Sequence, residues 1–121
     1  MSIKKINLAE KFSLFSDHWN PRIAGELNGQ HVKLGKFKGE FTWHKHDHED
    51  ELFLVIKGNF TMQLRQGDIH INEGEFIIIP KGTEHCPKAE EEVHVMLFEP
   101  ASTLNTGDQN NAFTQEKLTW I

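Results

Sequence analysis

The chain has 121 residues, of which 37% are hydrophobic, and a formal net charge of −5 with its histidines neutral. This length suits one domain with one core, and this hydrophobic content is typical of a globular chain rather than a disordered one. Lysine and arginine are scattered without a basic cluster, which argues against nucleic-acid binding, and no apolar run approaches the roughly 20 residues of a membrane span.

The N-terminal segment carries two lysines but no apolar stretch behind them, so it does not resemble a signal peptide. The chain has a single cysteine, Cys86, which agrees with a reducing compartment, and we expect a cytoplasmic protein. Asn7 stands before LAEKFSLF and is a candidate N-cap for one or two helical turns. An extended segment is the alternative at this place.

The middle of the chain predicts consecutive short strands separated by turn residues. Asn28-Gly29 favours a two-residue hairpin turn, because both positions tolerate a positive φ. The predicted strands are Arg22–Leu27, 31–41, Glu51–Lys57, 60–65, 69–71, Phe76–Ile79 and 93–98. Turn signals at such short intervals predict an all-β sandwich or barrel. The runs LFLVI and FIII are apolar on both faces, so one face should fill the interior and the other should pack on a second sheet or a partner subunit.

The end of the chain differs in character from the middle. Residues 101–111 are polar and rich in turn formers, which predicts a surface loop, and residues 118–121 are able to return as a short edge strand. We therefore expect a single domain over 1–121, with a core barrel of about 22–100 and a polar C-terminal tail over 101–121.

Four metal-competent side chains form two clusters along the sequence. His44 and His46 are one residue apart and point the same way if they lie in an extended segment. Glu51 must then come from the next strand, and His85 from a third, distant strand. Three imidazoles and one carboxylate suit Mn, Fe, Co, Ni, Cu or Zn, and a six-coordinate ion would keep two positions open for water, dioxygen or a substrate oxygen.

These two segments resemble the paired sequence motifs of the cupin family. The first family motif, G-x5-H-x-H-x3,4-E-x6-G, corresponds to GEFTWHKHDHEDELFLVIKG at positions 39–58. The second, G-x5-P-x-G-x2-H-x3-N, corresponds to GEFIIIPKGTEHCPKA at positions 74–89. Residues that match the second motif in type and spacing are Gly74, Pro80, Gly82 and His85. The chain departs from the pattern at Gly39, which precedes His44 by one residue fewer, and at Ala89, where the family often has Asn.

The first motif contains three histidines at alternate positions, so two different pairs match H-x-H. If His46 and His48 formed the pair, the carboxylate position would fall on Leu52 or Phe53, and neither of these can bind a metal. With His44 and His46 the position falls on Asp50 or Glu51. Gly58 follows Glu51 by the six-residue gap of the motif, which favours Glu51 and leaves His48 on a turn in solvent.

The resemblance implies a fold, a metal and an oligomeric state. The fold is a small double-stranded β-helix, a jelly-roll barrel of the conserved-barrel, mannose-6-phosphate-isomerase-like type. The implied ligands of one divalent transition metal ion per chain (Fe, Mn, Ni, Zn or Cu) are His44, His46, Glu51 and His85. We expect a homodimer, because family barrels commonly pair. The candidates for an aromatic lining of the barrel mouth are Phe37, Phe41, Phe53, Phe76 and Phe98.

Fold membership does not choose a reaction, since cupins include dioxygenases, isomerases, binding modules and storage proteins. One hypothesis is a small metalloenzyme, a dioxygenase or isomerase, that acts on a small oxygenated molecule. Its weakness is that the sequence shows no further acid or base. The alternative is a non-catalytic, metal-dependent module for a small ligand or a sugar. A third, weaker hypothesis is a metal-stabilised scaffold whose partner is another protein.

Several residues near the motifs have less specific interpretations. We expect four histidines to be packed or surface residues: His18, His31, His70 and His94. For His94, which would lie in a core strand, the alternatives are a hydrogen bond to a metal ligand or a place at a dimer interface. Cys86 should point away from the metal and be buried, with a reactive thiol as the alternative. Trp43 is expected in the barrel wall, with substrate stacking as the alternative.

Overall fold

The structure is a computed structural model that describes residues 2–121, and these form one short helix and seven antiparallel strands. The elements are α1 (Leu8–Phe12), β1 (Arg22–Leu27), β2 (Gln30–Glu40), β3 (Glu51–Lys57), β4 (Asn59–Leu64), β5 (Ile69–Asn72), β6 (Phe76–Ile79) and β7 (His85–Pro100). The expected all-β class, a double-stranded β-helix, is confirmed. Within residues 2–121, no helix has the length and apolar character needed to cross a membrane.

The seven strands form one sheet, and it branches at the long strand β7. The second half of this strand lies between β2 and β3, in the order β1-β2-β7-β3-β6. Its first half pairs with β4, where Leu64 stands opposite His85, and β4 pairs in turn with β5.

The first hairpin has the turn that its sequence predicts. Asn28 has a φ of 49° and Gly29 a φ of 76°, so both central residues lie in the left-handed region. Leu27 pairs with Gln30 directly across this turn. A two-residue turn of this kind matches the twist of the paired strands, which sets the register of β1 on β2.

The barrel interior is filled by every second residue of the long strands. In the second half of β7, Val93, Val95, Leu97 and Glu99 are buried, and the residues between them are only half-buried. In β3 the same alternation buries Phe53 and Val55. Further members of this core are Trp19, Phe37, Phe60, Met62, Leu64, Ile71, Ile79 and Ala89. Alternation with a period of two is what a strand imposes when one face is buried.

A second, smaller core lies on the outer side of β1 and β2. Leu34 and Ala24 pack there against Phe12 and Phe15 from the N-terminal segment. The helical form of this segment is the one observed, and the Oδ1 atom of Asn7 accepts a hydrogen bond of 3.0 Å from the backbone N–H of Glu10, as expected of an N-cap.

Two of the aromatic residues expected in the barrel mouth lie on the outside instead. Phe76 stands opposite Leu54, and Phe98 stands opposite Leu52, and both leucines point away from the core. The pairing register therefore turns Phe76 and Phe98 outward. Together with their neighbours they form an outer apolar face of β3, β6 and β7, made of Leu52, Leu54, Phe76, Ile78, Met96 and Phe98.

Residues 101–111 form a largely exposed loop, as the sequence predicted, and this loop is anchored over the first histidine motif. Thr106 is fully buried, and Asp108 accepts from and donates to the backbone of Lys45 at 3.0 Å in both directions. The tail ends in a parallel bridge between Trp120 and Ile23, close to the predicted edge strand. These contacts hold the tail against the barrel.

Candidate metal centre

The four side chains of the two motifs meet inside the barrel. Each of His44, His46, Glu51 and His85 offers one ligand atom, these atoms all lie within 4.8 Å of one another, and all four residues are buried. Glu51 opens β3 and His85 opens β7. His44 forms an isolated antiparallel bridge with His85, with backbone hydrogen bonds of 3.1 and 2.9 Å, so the two motifs are joined through their backbones.

Two of the imidazoles are oriented by backbone carbonyls. Nδ1 of His44 donates to the carbonyl oxygen of Thr42 at 2.8 Å, and Nδ1 of His85 donates to that of Thr83 at 2.8 Å. A carbonyl oxygen only accepts, so in a neutral ring the proton is on Nδ1 and Nε2 keeps its lone pair. In both motifs the carbonyl two residues upstream thus sets the tautomer of a candidate metal ligand.

The contacts of Glu51 fit a cation at the centre of the cluster. Its Oε1 atom lies 3.1 Å from Nε2 of His85 and 2.8 Å from Nε2 of His46. A neutral His85 that donates from Nδ1 cannot also donate from Nε2 to Glu51. Within residues 2–121, the contact of His46 with Glu51 lacks hydrogen-bond geometry, and neither ring nitrogen of this buried histidine has a hydrogen-bond partner. A metal ion bound by Oε1 of Glu51 and by Nε2 of His46 and His85 would satisfy these three atoms together, so the donor set fits a metal.

The electrostatics of the cluster favour the protonation states of metal ligands. Burial, and next the repulsion from His85, lowers the pKa of His44 to about 4, so this ring is neutral at ordinary pH. Burial opposes ionisation of Glu51, but the imidazoles of His46 and His85 beside it more than offset this and hold the pKa of the carboxyl well below its usual value. Neutral imidazole and ionised carboxylate are the forms that bind metals.

A narrow cavity with aromatic walls adjoins the cluster. It has a volume of about 30 Å3 and is lined by His44 and Glu51 on the metal side. Its aromatic walls are formed by Trp19, Phe37, Phe41 and Phe53. The ring of Trp19 stacks on Phe37 and Phe41 at centroid distances of 4.5 and 4.7 Å. The expected lining by Phe37, Phe41 and Phe53 is thus observed, and Trp19 is a wall residue that sequence reasoning missed.

A buried ion pair also lines this cavity and was not anticipated from the sequence. Nζ of Lys33 donates to Oε2 of Glu99 at 2.7 Å, and the two side chains are 3% and 2% exposed. Burial, followed by the negative charge of Glu51, raises the pKa of Glu99 well above its usual value, although Lys33 opposes this. The alternation of buried residues in β7 continues from Leu97 to Glu99, and this was the available signal for an inward carboxyl.

The other candidate residues of the first motif lie outside the cavity. His48 is exposed, as expected. Asp50, the other candidate for the carboxylate position, is exposed, and its Oδ1 atom accepts from the backbone N–H of Lys81 at 2.8 Å. Trp43 does not line the cavity, and its ring is covered on the outside by the guanidinium of Arg65 at 3.8 Å. The structure therefore supports Glu51 over Asp50.

Other candidate residues have ordinary structural contacts. His94 stacks on Phe12 at a centroid distance of 4.5 Å and contacts Glu92, so it belongs to the outer core rather than to the metal cluster. His18 also contacts Glu92, at 2.8 Å. Cys86 is fully buried, and burial raises the pKa of its thiol to about 11, which makes the thiolate scarce and the residue unreactive.

Comparison with known proteins finds one family and several similar structures. The Cupin_2 family model, described as a cupin domain, matches residues 30–99. The crystal structure of a cupin-2 domain containing protein from Shewanella frigidimarina is 46% identical, with a TM-score of 0.78, over 78% of this chain and 93% of that chain. A protein from Neisseria meningitidis is 27% identical, with a TM-score of 0.74, over 81% of this chain and 100% of that chain.

A curated relative matches a shorter region. It is an uncharacterized protein of Bacillus subtilis, YdbB, which is 36% identical over 61 residues. These residues are 50% of this chain and 54% of the relative, so the match spans about half the length of that protein.

Proposed function

This chain belongs to the cupin domain family, and on that premise we propose that it holds one divalent transition metal and acts on a small oxygenated molecule in the adjoining cavity. The proposed ligands are His44, His46, Glu51 and His85. One observation carries the proposal: three imidazoles and one carboxylate, remote in sequence, meet within 4.8 Å in the barrel interior. We propose a metal-dependent oxygenase or isomerase.

The chain's own residues prepare this site in three ways. The carbonyls of Thr42 and Thr83 hold the imidazoles of His44 and His85 in one tautomer, which saves the cost of ordering them at the moment of binding. Burial keeps His44 neutral. The aromatic walls exclude bulk water, which strengthens electrostatic interactions inside the cavity. When bound, a divalent cation supplies Lewis-acid polarisation of a substrate oxygen.

Polar groups in the cavity favour an enzyme. The sequence alone shows no acid or base beyond the ligands, but Lys33 and Glu99 line the same cavity as His44 and Glu51. These groups are placed to orient a polar substrate beside the proposed metal.

The second candidate is a non-catalytic, metal-dependent module that holds a small ligand. The small volume of the cavity, about 30 Å3, favours this alternative, because it leaves little room for a second reactant. Recovery of a tightly bound, chemically unchanged metabolite from the purified protein would support the binding module over the enzyme.

Metal content and turnover test the proposal. We expect close to one metal ion per chain by elemental analysis, and turnover above that of free metal when the Fe, Mn and Ni forms meet a panel of enediols, catechols, thiols and sugar phosphates. His85→Ala should lose the metal and still fold, and His48→Ala, which alters an exposed histidine of the same motif, is the matched control. Full metal content in His85→Ala would contradict the ligand set, and a metal-loaded protein without turnover would contradict the enzyme.

We also propose a homodimer formed through the outer apolar face of β3, β6 and β7. Phe76 and Ile78 are 60% and 54% exposed on this face, next to half-buried leucines. Exposed apolar side chains grouped in this way are typical of association surfaces. Two further proposals are a single domain, in which the tail 101–121 packs against the barrel, and a cytoplasmic location, for which the single, buried thiol of Cys86 is the support.

A further inference from the structure

The ion pair between Lys33 and Glu99 is an unusual way to fill the wall of an apolar cavity. Nζ of Lys33 contacts Oε2 of Glu99 at 2.7 Å and the carbonyl oxygen of Thr103 at 3.4 Å. Both charged side chains are removed from water, which is costly, and a pair of apolar residues of similar volume would often be at least as stable. A structural role alone therefore gives no reason for this pair at this place.

The pair also presents unused hydrogen-bonding capacity to the cavity. Oε1 of Glu99 is buried and, within residues 2–121, has no hydrogen-bond partner. The ammonium group of Lys33 has three N–H donors, and in the described part of the chain two acceptors lie within reach. A free acceptor and a free donor therefore stand side by side. A hydroxyl group is the simplest partner that both donates and accepts.

The pair lies beside the metal cluster and not at a remote part of the barrel. Lys33 and Glu99 line the same cavity as His44 and Glu51. The negative charge of Glu51 helps to raise the pKa of Glu99, so the two carboxyl groups lie near each other. A small ligand in this cavity therefore reaches both Glu99 and the candidate metal ligands.

We propose that Lys33 and Glu99 recognise a hydroxyl group of the ligand, and that the ligand class is small molecules with oxygens on two adjacent carbons, such as α-hydroxy acids, α-hydroxy ketones and vicinal diols. This inference rests on the proposed metal site, since the second oxygen of the ligand faces His44 and Glu51. The aromatic walls and the small cavity limit the rest of the ligand to a short apolar part.

Two small probes that differ by one hydroxyl group test this recognition. Glycolate carries the hydroxyl, and acetate lacks it. Their affinities are measured by calorimetry on the Co(II)-loaded protein, and the visible spectrum of Co(II) confirms loading. The variant is Lys33→Met/Glu99→Met, which removes both charges together and so leaves no unpaired buried charge. Lys36→Met is the matched control, because Lys36 is a buried lysine of the same strand that contacts Phe15 and does not line the cavity.

We expect the double variant to lose at least about tenfold in glycolate affinity, as in the loss of a hydrogen bond to a charged group, while its acetate affinity and its Co(II) content stay within twofold of the wild type. Lys36→Met should keep the wild-type ratio of the two affinities. An unchanged glycolate-to-acetate ratio in the double variant overturns the proposal, whether or not its Co(II) affinity changes. If the double variant does not fold, Glu99→Gln takes its place. The amide oxygen still accepts from Lys33, but the amide nitrogen replaces the second carboxylate oxygen and cannot accept from the ligand hydroxyl. The ratio of glycolate affinity to acetate affinity should fall several-fold in this variant, and an unchanged ratio overturns the proposal.

The outcome also separates this inference from the metal site itself. A wild-type protein that takes up no Co(II) contradicts both the metal site and the inference built on it. A wild-type protein that binds Co(II) and glycolate, with the same ratio in all variants, contradicts only the assignment of Lys33 and Glu99.

Discussion

Gly107 in the C-terminal tail lies directly against His44 in the metal cluster. A Cβ atom at Gly107 would be 3.1 Å from Cδ2 of the imidazole and would collide with the carbonyl oxygen of Lys45. Asp108 holds the backbone of Lys45 from the same side. The tail therefore fixes the position of the segment between β2 and β3, which carries His44 and His46.

We predict that Gly107→Ala destabilises the protein by about 2 kcal/mol or more and weakens metal binding, because the new methyl group displaces Lys45 and His44. Gly107 also has a positive φ of 55°. Urea denaturation measures the stability. The control is Gly29→Ala, which has a positive φ of 76° but no atom within 4 Å of the added methyl, and should cost only about 1 kcal/mol. Equal losses in the two variants would contradict the contact.

Glu51→Gln should weaken metal binding by more than about 100-fold, since even the partners of metal ligands contribute 10–100-fold. The amide removes the negative charge that Oε1 places between His46 and His85. Competition with a chromophoric chelator measures the affinity. Asp50→Asn is the matched control, because Asp50 is exposed and bound to the backbone of Lys81, and its affinity should stay within threefold. A larger loss of metal affinity in Asp50→Asn than in Glu51→Gln would indicate that Asp50 is the carboxylate ligand instead.

The metal-free protein should lose stability as the pH falls from 6.5 toward 4. An unfolded histidine takes up a proton near its ordinary pKa of 6.5, whereas folded His44 stays neutral down to about 4. The unfolded state therefore binds more protons in this window, and acid favours unfolding by up to ~3 kcal/mol for this one group. Glu99, with its raised pKa, contributes the opposite slope between its unfolded and folded pKa values.

The effect of His44 can be isolated by subtraction. The slope from Glu99 is common to the wild type and His44→Gln, so the difference between their stabilities should rise with pH by about 1.4 kcal/mol per unit inside the window. Urea denaturation in the presence of a chelator, at intervals from pH 4 to pH 7, measures it. Parallel pH profiles for the two proteins would show that His44 is protonated normally when folded.

Phe76→Lys/Ile78→Lys should convert the proposed homodimer into a monomer, because two charges would enter the outer apolar face. Both side chains are more than half exposed, so the fold itself should be unaffected. Light scattering coupled to size exclusion measures the mass. Leu14→Lys is the control, since Leu14 is 63% exposed outside that face, and it should leave the mass unchanged. A monomeric wild type at high concentration would refute the dimer.

The strands were predicted well wherever turn residues bound them. Asn28-Gly29 determines the first hairpin, and the predicted bounds of β1, β3 and β6 agree with the structure. The early half of β7 was missed, because Pro87 and the glutamates at 90–92 do not resemble a strand. Residues 85–89 are extended because they pair with β4 and the end of β2, and no local pattern reveals such a long-range contact.

The grouping of the four candidate ligands was predicted from the sequence, but most of the cavity lining was not. Motif spacing selected His44, His46, Glu51 and His85, and the structure brings these side chains together. Lys33 and Glu99 were missed, because a charged residue in a strand is expected to face solvent unless the inward face is known. Trp19 lies outside the strands at a positive φ of 62°, so no periodicity indicates its direction. The ion pair of Lys33 and Glu99 depends on tertiary packing, which only the folded structure shows.

The continuity of β7 has a consequence for how the molecule opens. His85 begins this strand and contacts Glu51, and Glu99, next to the last residue of the strand, lines the same cavity as Glu51. Buried residues between these two ends, among them Val93, Val95 and Leu97, fill the barrel interior. Separating the two ends of the strand would break its pairing with β2, β3 and β4 together. Release of a bound metal by separation of these strand ends would therefore require the whole barrel to unfold. Amide protons along β7 should accordingly exchange with solvent only at the rate of global unfolding.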